Sequence, residues 1–184
     1  MPSDRTDFLR EYYRLLADDI RRHEAIVPKV CSLQVGVMVV LVTIQWLRGP
    51  IYGATLVALL TSAWAMHLLV DANLWARRSQ LMAANVELEF FTSADMEVLL
   101  PRSYYGEGRR YRYRRVFRVG MLLSLAFFFT CLILLPLTLN LKSLTTLLIA
   151  VLLLCSVHLE NRKCAQEFAY LVEHAAGRIR VDAQ

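Results

Sequence analysis

"VCSLQVGVMVVLVTIQWLRGPIYGATLVALLTSAWAMHLLV" runs from Val30 to Val70 and contains one charged residue, Arg48. Arg48, Gly49 and Pro50 divide it into two apolar runs, Val30–Leu47 and Ile51–Val70. A helix needs about 20 apolar residues to cross a bilayer. The link between the runs is so short that two such helices must form an antiparallel hairpin. Pro50 stands where the second helix would begin, which suits proline because an N–H there would have no helical partner.

A second hairpin repeats the plan. Val119–Asn140 and Ser143–Leu159 also lack Asp, Glu, Lys and Arg, and only Leu141-Lys142 separates them. Pro136 predicts a kink or an end near the close of the third run. Four helices that are apolar all round cannot be buried inside a soluble domain of 184 residues. Composition agrees. The chain is 57% hydrophobic with a mean hydropathy of +0.40, whereas soluble domains are roughly 45–50% apolar. The expected fold class is an all-α integral membrane protein with four transmembrane helices in two hairpins and cytoplasmic helical extensions. Residues 1–29 read as a cytoplasmic amphipathic helix and 30–70 as the first hairpin. Residues 71–118 read as a cytoplasmic helix plus a basic–aromatic segment, 119–159 as the second hairpin, and 160–184 as a cytoplasmic C-terminal helix.

Orientation follows from the positive charges. Of 21 Lys and Arg, 19 fall in 1–29, 71–118 and 160–184, and the two tight turns hold one each. Basic residues beside membrane helices stay inside. Arg77, Arg78, Arg114, Arg115, Arg118, Arg162 and Lys163 all lie close to a run's end. The chain is therefore expected in the cell inner (plasma) membrane, multi-pass, with both termini cytoplasmic. The first 29 residues are charged and do not read as a secretory signal.

Three segments carry polar patterning. In Ser3–Ile26, Phe8, Tyr12, Leu15, Leu16 and Ile20 fall near one helical face. Asp71–Leu99 contains no Gly or Pro, so the second membrane helix should run on into the cytoplasm. Its Leu74, Leu81 and Leu88 repeat every seven residues, with Trp75, Met82 and Phe91 beside them, which makes an apolar seam that needs covering. The N-terminal helix, the C-terminal helix and another copy of the chain are the candidate covers. Pro101 then stops that helix and Ser103–Gly108 reads as a turn. Glu160–Val172 extends the fourth run in the same way, up to a stop signal at Gly177.

The next segment, "GEGRRYRYRRVFR" from Gly106 to Arg118, places Arg109, Arg110, Arg112, Arg114, Arg115 and Arg118 around Tyr111 and Tyr113. Rings at headgroup depth and guanidinium groups on lipid phosphate suit such a segment. An acidic partner protein is the alternative. Basic–aromatic interleaving also suits RNA, but no nucleic-acid motif accompanies it, so nucleic acid is not an expected partner.

Inside the runs the candidate pore-lining or interhelical polar residues are Gln34, Thr43, Gln45, Thr61 and Ser62. Gln34 and Gln45 are the most costly to expose to lipid. No run carries an acid or base at mid-depth, as a proton-coupled pump usually would. His67 and Asp71, spaced i, i+4, mark the inner boundary as a polar pair. Cys31, Cys131, Cys155 and Cys164 are scattered without a CxxC pair, so neither a disulfide framework nor a metal site is expected. No catalytic motif is present, and neither enzyme activity nor a cofactor is expected. A lipid-modifying site built on His67 and Asp71 is the enzymatic alternative.

In layout the chain resembles small prokaryotic membrane proteins of antiphage systems. They are the two-helix SLATT-type effectors and the four-helix membrane subunit of the Kiwa system. The likeness rests on the hairpin Val30–Val70 running into the charged helix "DANLWARRSQLMAANVELEFF", Asp71–Phe91. It implies a homo-oligomer of the inner membrane that senses phage-induced stress or breaches the membrane, with a cytoplasmic partner. Two functions follow as expectations. One is a self-associating channel or membrane-perturbing effector in antiviral defence. The other is a membrane anchor or sensor that recruits a soluble cytoplasmic protein through residues 72–118 and the C-terminal helix.

Overall fold

The computed structural model describes residues 2–49, 51–90, 107–134 and 141–174. They form five helices: α1 Pro2–Glu24, α2 Ile26–Arg48, α3 Tyr52–Phe90, α4 Glu107–Ile133 and α5 Leu141–His174. Four segments of these helices are long and apolar enough to cross a membrane: Arg10–Arg48, Tyr52–Glu87, Val116–Ile133 and Leu141–Val172.

Pro28 explains the break between α1 and α2. It has no N–H for the Glu24 carbonyl, and its ring crowds that carbonyl, so the ladder lapses for one residue. Ala25 keeps helical angles (φ −67°, ψ −11°), and its N–H still bonds the Arg21 carbonyl at 3.0 Å. The chain thus passes from α1 into α2 with little loss of helical backbone. At the other end of α2, Gly49 adopts φ 78°, a conformation open mainly to glycine, while its N–H bonds the Gln45 carbonyl at 2.9 Å. That residue makes the tight reversal into α3.

Helix α3, 39 residues long, is the centre of the fold and packs against all four other helices. Its packing face is built from small side chains: Ala58, Ala63, Ala65, Ala72, Ala76, Ala83 and Ala84 are all buried. Small residues let helix backbones approach closely. One cluster joins Leu41, Leu59, Met66, Phe128, Cys131, Ala150 and Val157. A second joins Ile20, Val27, Val30, Leu69, Ala76 and Phe117, where α1, α2, α3 and α4 meet. The third, Leu16 with Ala83 and Val86, seats α1 on the far half of α3. Helices α2 and α4 also touch each other. Helix α5 lies along α3 in the same direction, as His67–Ser156 and Arg77–Phe168 contacts at a nearly constant offset require.

Two expectations differ from what is observed. Glu107 and Gly108 are helical rather than part of a turn, because no residue between Glu107 and Ile133 forbids the helix from starting early. The apolar face expected of α1 splits: Leu16 and Ile20 are buried, whereas Phe8 and Leu15 are well exposed. The cause is that α1 packs mainly against α3, and a helix–helix contact covers a stripe narrower than that apolar face. Pro101, Pro136, Gly177 and Phe91 lie outside the described residues.

Candidate functional site

Most polar groups within the apolar helices are turned inward or capped by their own backbone. Gln34 is 2% exposed and accepts at Oε1 from the Ser124 hydroxyl at 2.9 Å, which ties α2 to α4. Its Nε2 has no hydrogen-bond partner. At the opposite end of α2, Gln45 Nε2 donates to Thr55 Oγ1 at 3.2 Å and to the Leu134 carbonyl at 3.4 Å. Ser62 is buried with its hydroxyl unpartnered. Thr43 and Thr61 donate to the carbonyls of Val39 and Val57, at 2.7 and 2.8 Å, and take part in no interhelical hydrogen bond among the described residues. Helix residues that bond their own i−4 carbonyl need no partner helix. Gln34, Thr43 and Gln45 therefore do not converge: two are inside at different levels and Thr43 is exposed.

The His67–Asp71 pair is also rearranged. His67 Nε2 lies 3.1 Å from Ser156 Oγ on α5. The Ser156 hydroxyl donates to the Leu153 carbonyl at 2.8 Å. Which of the two donates in the His67–Ser156 contact depends on the His67 tautomer. Asp71 stands exposed on a neighbouring face, without an ion-pair partner among the described residues. No group of three His, Cys, Asp or Glu able to hold a metal is found among the described residues.

Sequence reasoning offered the N-terminal helix as a cover for α3 but missed the polar contacts that join α1 to α3. The Tyr13 hydroxyl donates to Glu87 Oε1, and Glu87 is fully buried. Ser79 Oγ donates to Asp19 Oδ2 at 2.5 Å, and Asp19 Oδ1 lies 3.4 Å from His23 Nε2. The available signal was an acid, Glu87, set on the alanine-rich face of α3. A buried carboxylate requires a donor, and Tyr13 is the one that α1 presents.

Of the seam residues, Trp75 is exposed, while Leu74, Leu81 and Met82 are half-buried. Leu74 and Leu81 continue the line of His67 along α3, the side that meets α5. Met82 takes a contact from Tyr12 Oη at 3.9 Å. The Leu88 side chain lies outside the described residues. Arg109 to Arg115 belong to the helical backbone of α4, and their side chains are likewise outside the description. Arg118 is exposed, and Phe117 beside it is buried against α1–α3. Since α4 rises about 1.5 Å per residue, its basic start lies well beyond the apolar run that begins at Val119.

No family model matches this chain, and neither a curated protein nor a solved structure does.

Proposed function

We propose that this chain is a multi-pass inner-membrane protein with both termini in the cytoplasm, acting as an anchor or sensor that holds a helical projection for a soluble partner. The observation that carries this reading is the continuity of α3. One unbroken helix joins an apolar half, packed among α2, α4 and α5, to a polar half on which α1 is seated. At about 1.5 Å per residue, the part of α3 beyond Val70 projects by roughly 30 Å. The projection carries polar locks, Tyr13–Glu87 and Asp19–Ser79, that position α1.

The outward surfaces support membrane residence. Leu33, Val35, Val39, Val40 and Trp46 on α2, with Leu144, Leu148 and Leu152 on α5, are exposed, and a patch of that size is costly in water. The test is affinity capture of the full chain from native membranes at native expression, with topology reporters on both ends. A bound soluble protein lost on removing α1 is the expected result. No bound protein, or a terminus outside, refutes the reading.

The second reading is a homo-oligomeric channel or membrane-perturbing effector in antiphage defence. It is favoured by the exposed face of α3, and a pore would then lie between copies, because Phe128, Leu59 and Met66 fill the interior of one chain. Conductance of the purified chain in planar bilayers tests it.

A further inference from the structure

Helix α1 is attached to the rest of the fold at one backbone joint and mainly along one side. The joint is Ala25, the one non-helical residue between Pro2 and Arg48. Pro28 offers no N–H to the Glu24 carbonyl, so the ladder is weakest there. Ala25 and Pro28 are both exposed, so neighbouring helices do not clamp the joint.

The side is the one that meets α3. Of the described α1 side chains, only Leu16 and Ile20 are buried. They pack on α3 largely against small residues, Ala76, Ala83 and Val86. The rest of the join is polar. Tyr13 donates to Glu87, Ser79 donates to Asp19, and Asp19 faces His23 Nε2 at 3.4 Å. Glu87 and Ser79 are buried, and His23 Nδ1 is buried without a hydrogen-bond partner. Such a join separates position from strength. Bonds between fixed partners set where α1 sits. Their net worth is small, because Glu87, Asp19 and Ser79 bond water when α1 leaves. Opening also hydrates the His23 nitrogen. Elements held by few buried apolar contacts are those that open locally. Helices α2 to α5, by comparison, share a cluster that buries Leu41, Leu59, Met66, Phe128 and Val157.

We propose that α1 is a hinged arm. It leaves and rejoins α3 as one rigid helix, turning at Ala25, while α2 to α5 stay packed. The closed position is the one described above. Hinges of this kind are a few residues at the end of an element. Opening uncovers Leu16 and Ile20 on the arm and Ala83 and Val86 on α3, so a soluble partner that takes either surface holds the arm open. That last step names a regulation of the anchor and rests on the anchor reading; the motion of the arm does not.

The test is a pair of spin-label distances, measured by pulsed electron paramagnetic resonance on the full chain in lipid nanodiscs, with the four native cysteines replaced by alanine. Labels at Arg14→Cys and Trp75→Cys report the arm against α3. Labels at Leu33→Cys and Trp75→Cys report α2 against α3. The first pair should give two distances, the longer in the minority, and the second pair one. Ser79→Ala removes the donor to Asp19 and should raise the long-to-short ratio about fivefold, as the loss of one hydrogen bond would. Pro28→Ala restores an N–H for the Glu24 carbonyl, stiffens the joint and should suppress the longer distance. One unchanging Arg14–Trp75 distance in the parent and in Ser79→Ala overturns the proposal. So does a Leu33–Trp75 distance that lengthens in step, which means general loosening, or a Pro28→Ala chain that opens as before. No partner is added, so this experiment and the capture experiment above fail independently. The Leu33 label should also meet dissolved oxygen more readily than an aqueous nickel chelate, and the reverse refutes the membrane reading while leaving the two distances to decide the arm.

Discussion

The Ser124 hydroxyl donates to Gln34 Oε1 across 2.9 Å, and both residues are buried between α2 and α4. The bond joins the first hairpin to the second through otherwise apolar side chains. Deleting only the donor leaves an acceptor buried without it. Ser124→Ala should therefore destabilise the fold by about 1 kcal/mol. Removing both polar groups with Gln34→Leu and Ser124→Ala should cost less than the single change, since no orphaned group remains. Unfolding by SDS titration in mixed micelles measures the difference. A double variant weaker than the single would show that the pair adds more than mutual satisfaction.

Much of this architecture is legible in the residues themselves. The absence of charge from Val30–Leu47, Ile51–Val70, Val119–Asn140 and Ser143–Leu159 marks four helices, and Gly49 marks the first reversal. What is not legible is which stripe of α3 meets which neighbour. A scan for large apolar residues picks out Leu74, Leu81 and Leu88, yet seven buried residues of α3 are alanines, whose small size carries little hydropathy signal. The split of α1 into buried Leu16 and Ile20 and exposed Phe8 and Leu15 is also set by a neighbour, not by periodicity. In the polar sites, Gln34 and Gln45 are readable as groups needing partners. Ser124 and Thr55 become their partners only once three helices are assembled.

Gly120 makes a close approach. A Cβ built on it would lie 2.9 Å from Val27 Cγ1 and 3.6 Å from Leu69 Cδ1. Valine is stiff at χ1, so Val27 cannot easily turn aside. Gly120→Ala should overpack the α2–α3–α4 contact and cost about 1–3 kcal/mol. Val27→Ala in the same chain should recover part of that loss by vacating the space. The same SDS titration reads both. A Gly120→Ala chain as stable as the parent would mean that α4 shifts freely, against the packing described.

The bond from Tyr13 to buried Glu87 helps seat α1 on α3, together with the Asp19–Ser79 bond and the packing of Leu16 on Val86. Tyr13→Phe keeps the ring and removes the donor. The expected cost is about 1–3 kcal/mol, and it should appear locally as release of α1. Trypsin cleavage at Arg10 and Arg14 should therefore accelerate in Tyr13→Phe, while sites on α5 stay unchanged. Leu16→Ala should accelerate the same cuts through lost apolar contact. Unchanged cleavage in both variants would show that α1 is held by other means.

Cys164, half-buried on the part of α5 beyond the apolar run, has its thiol pKa raised from the ordinary 9.0. Burial is the first cause, followed by the negative charges of Glu160, Glu167 and Asp71. The neutral thiol is favoured in the folded chain. Its contribution to stability is therefore fully present below the unfolded pKa and is lost as pH rises through the higher folded one. Because the thiolate is the reacting species, the pH–rate profile for alkylation should also move upward. With Cys31, Cys131 and Cys155 replaced by alanine, the profile of the folded chain should have its midpoint above that of the denatured chain. Glu160→Gln should bring the midpoint down, because it removes the largest of the three charge contributions while leaving the side chain's bulk. Shielding by neighbouring atoms lowers the rate at every pH but does not move the midpoint. A profile coincident with the denatured chain's would place Cys164 in open solvent, away from the α3–α5 contact.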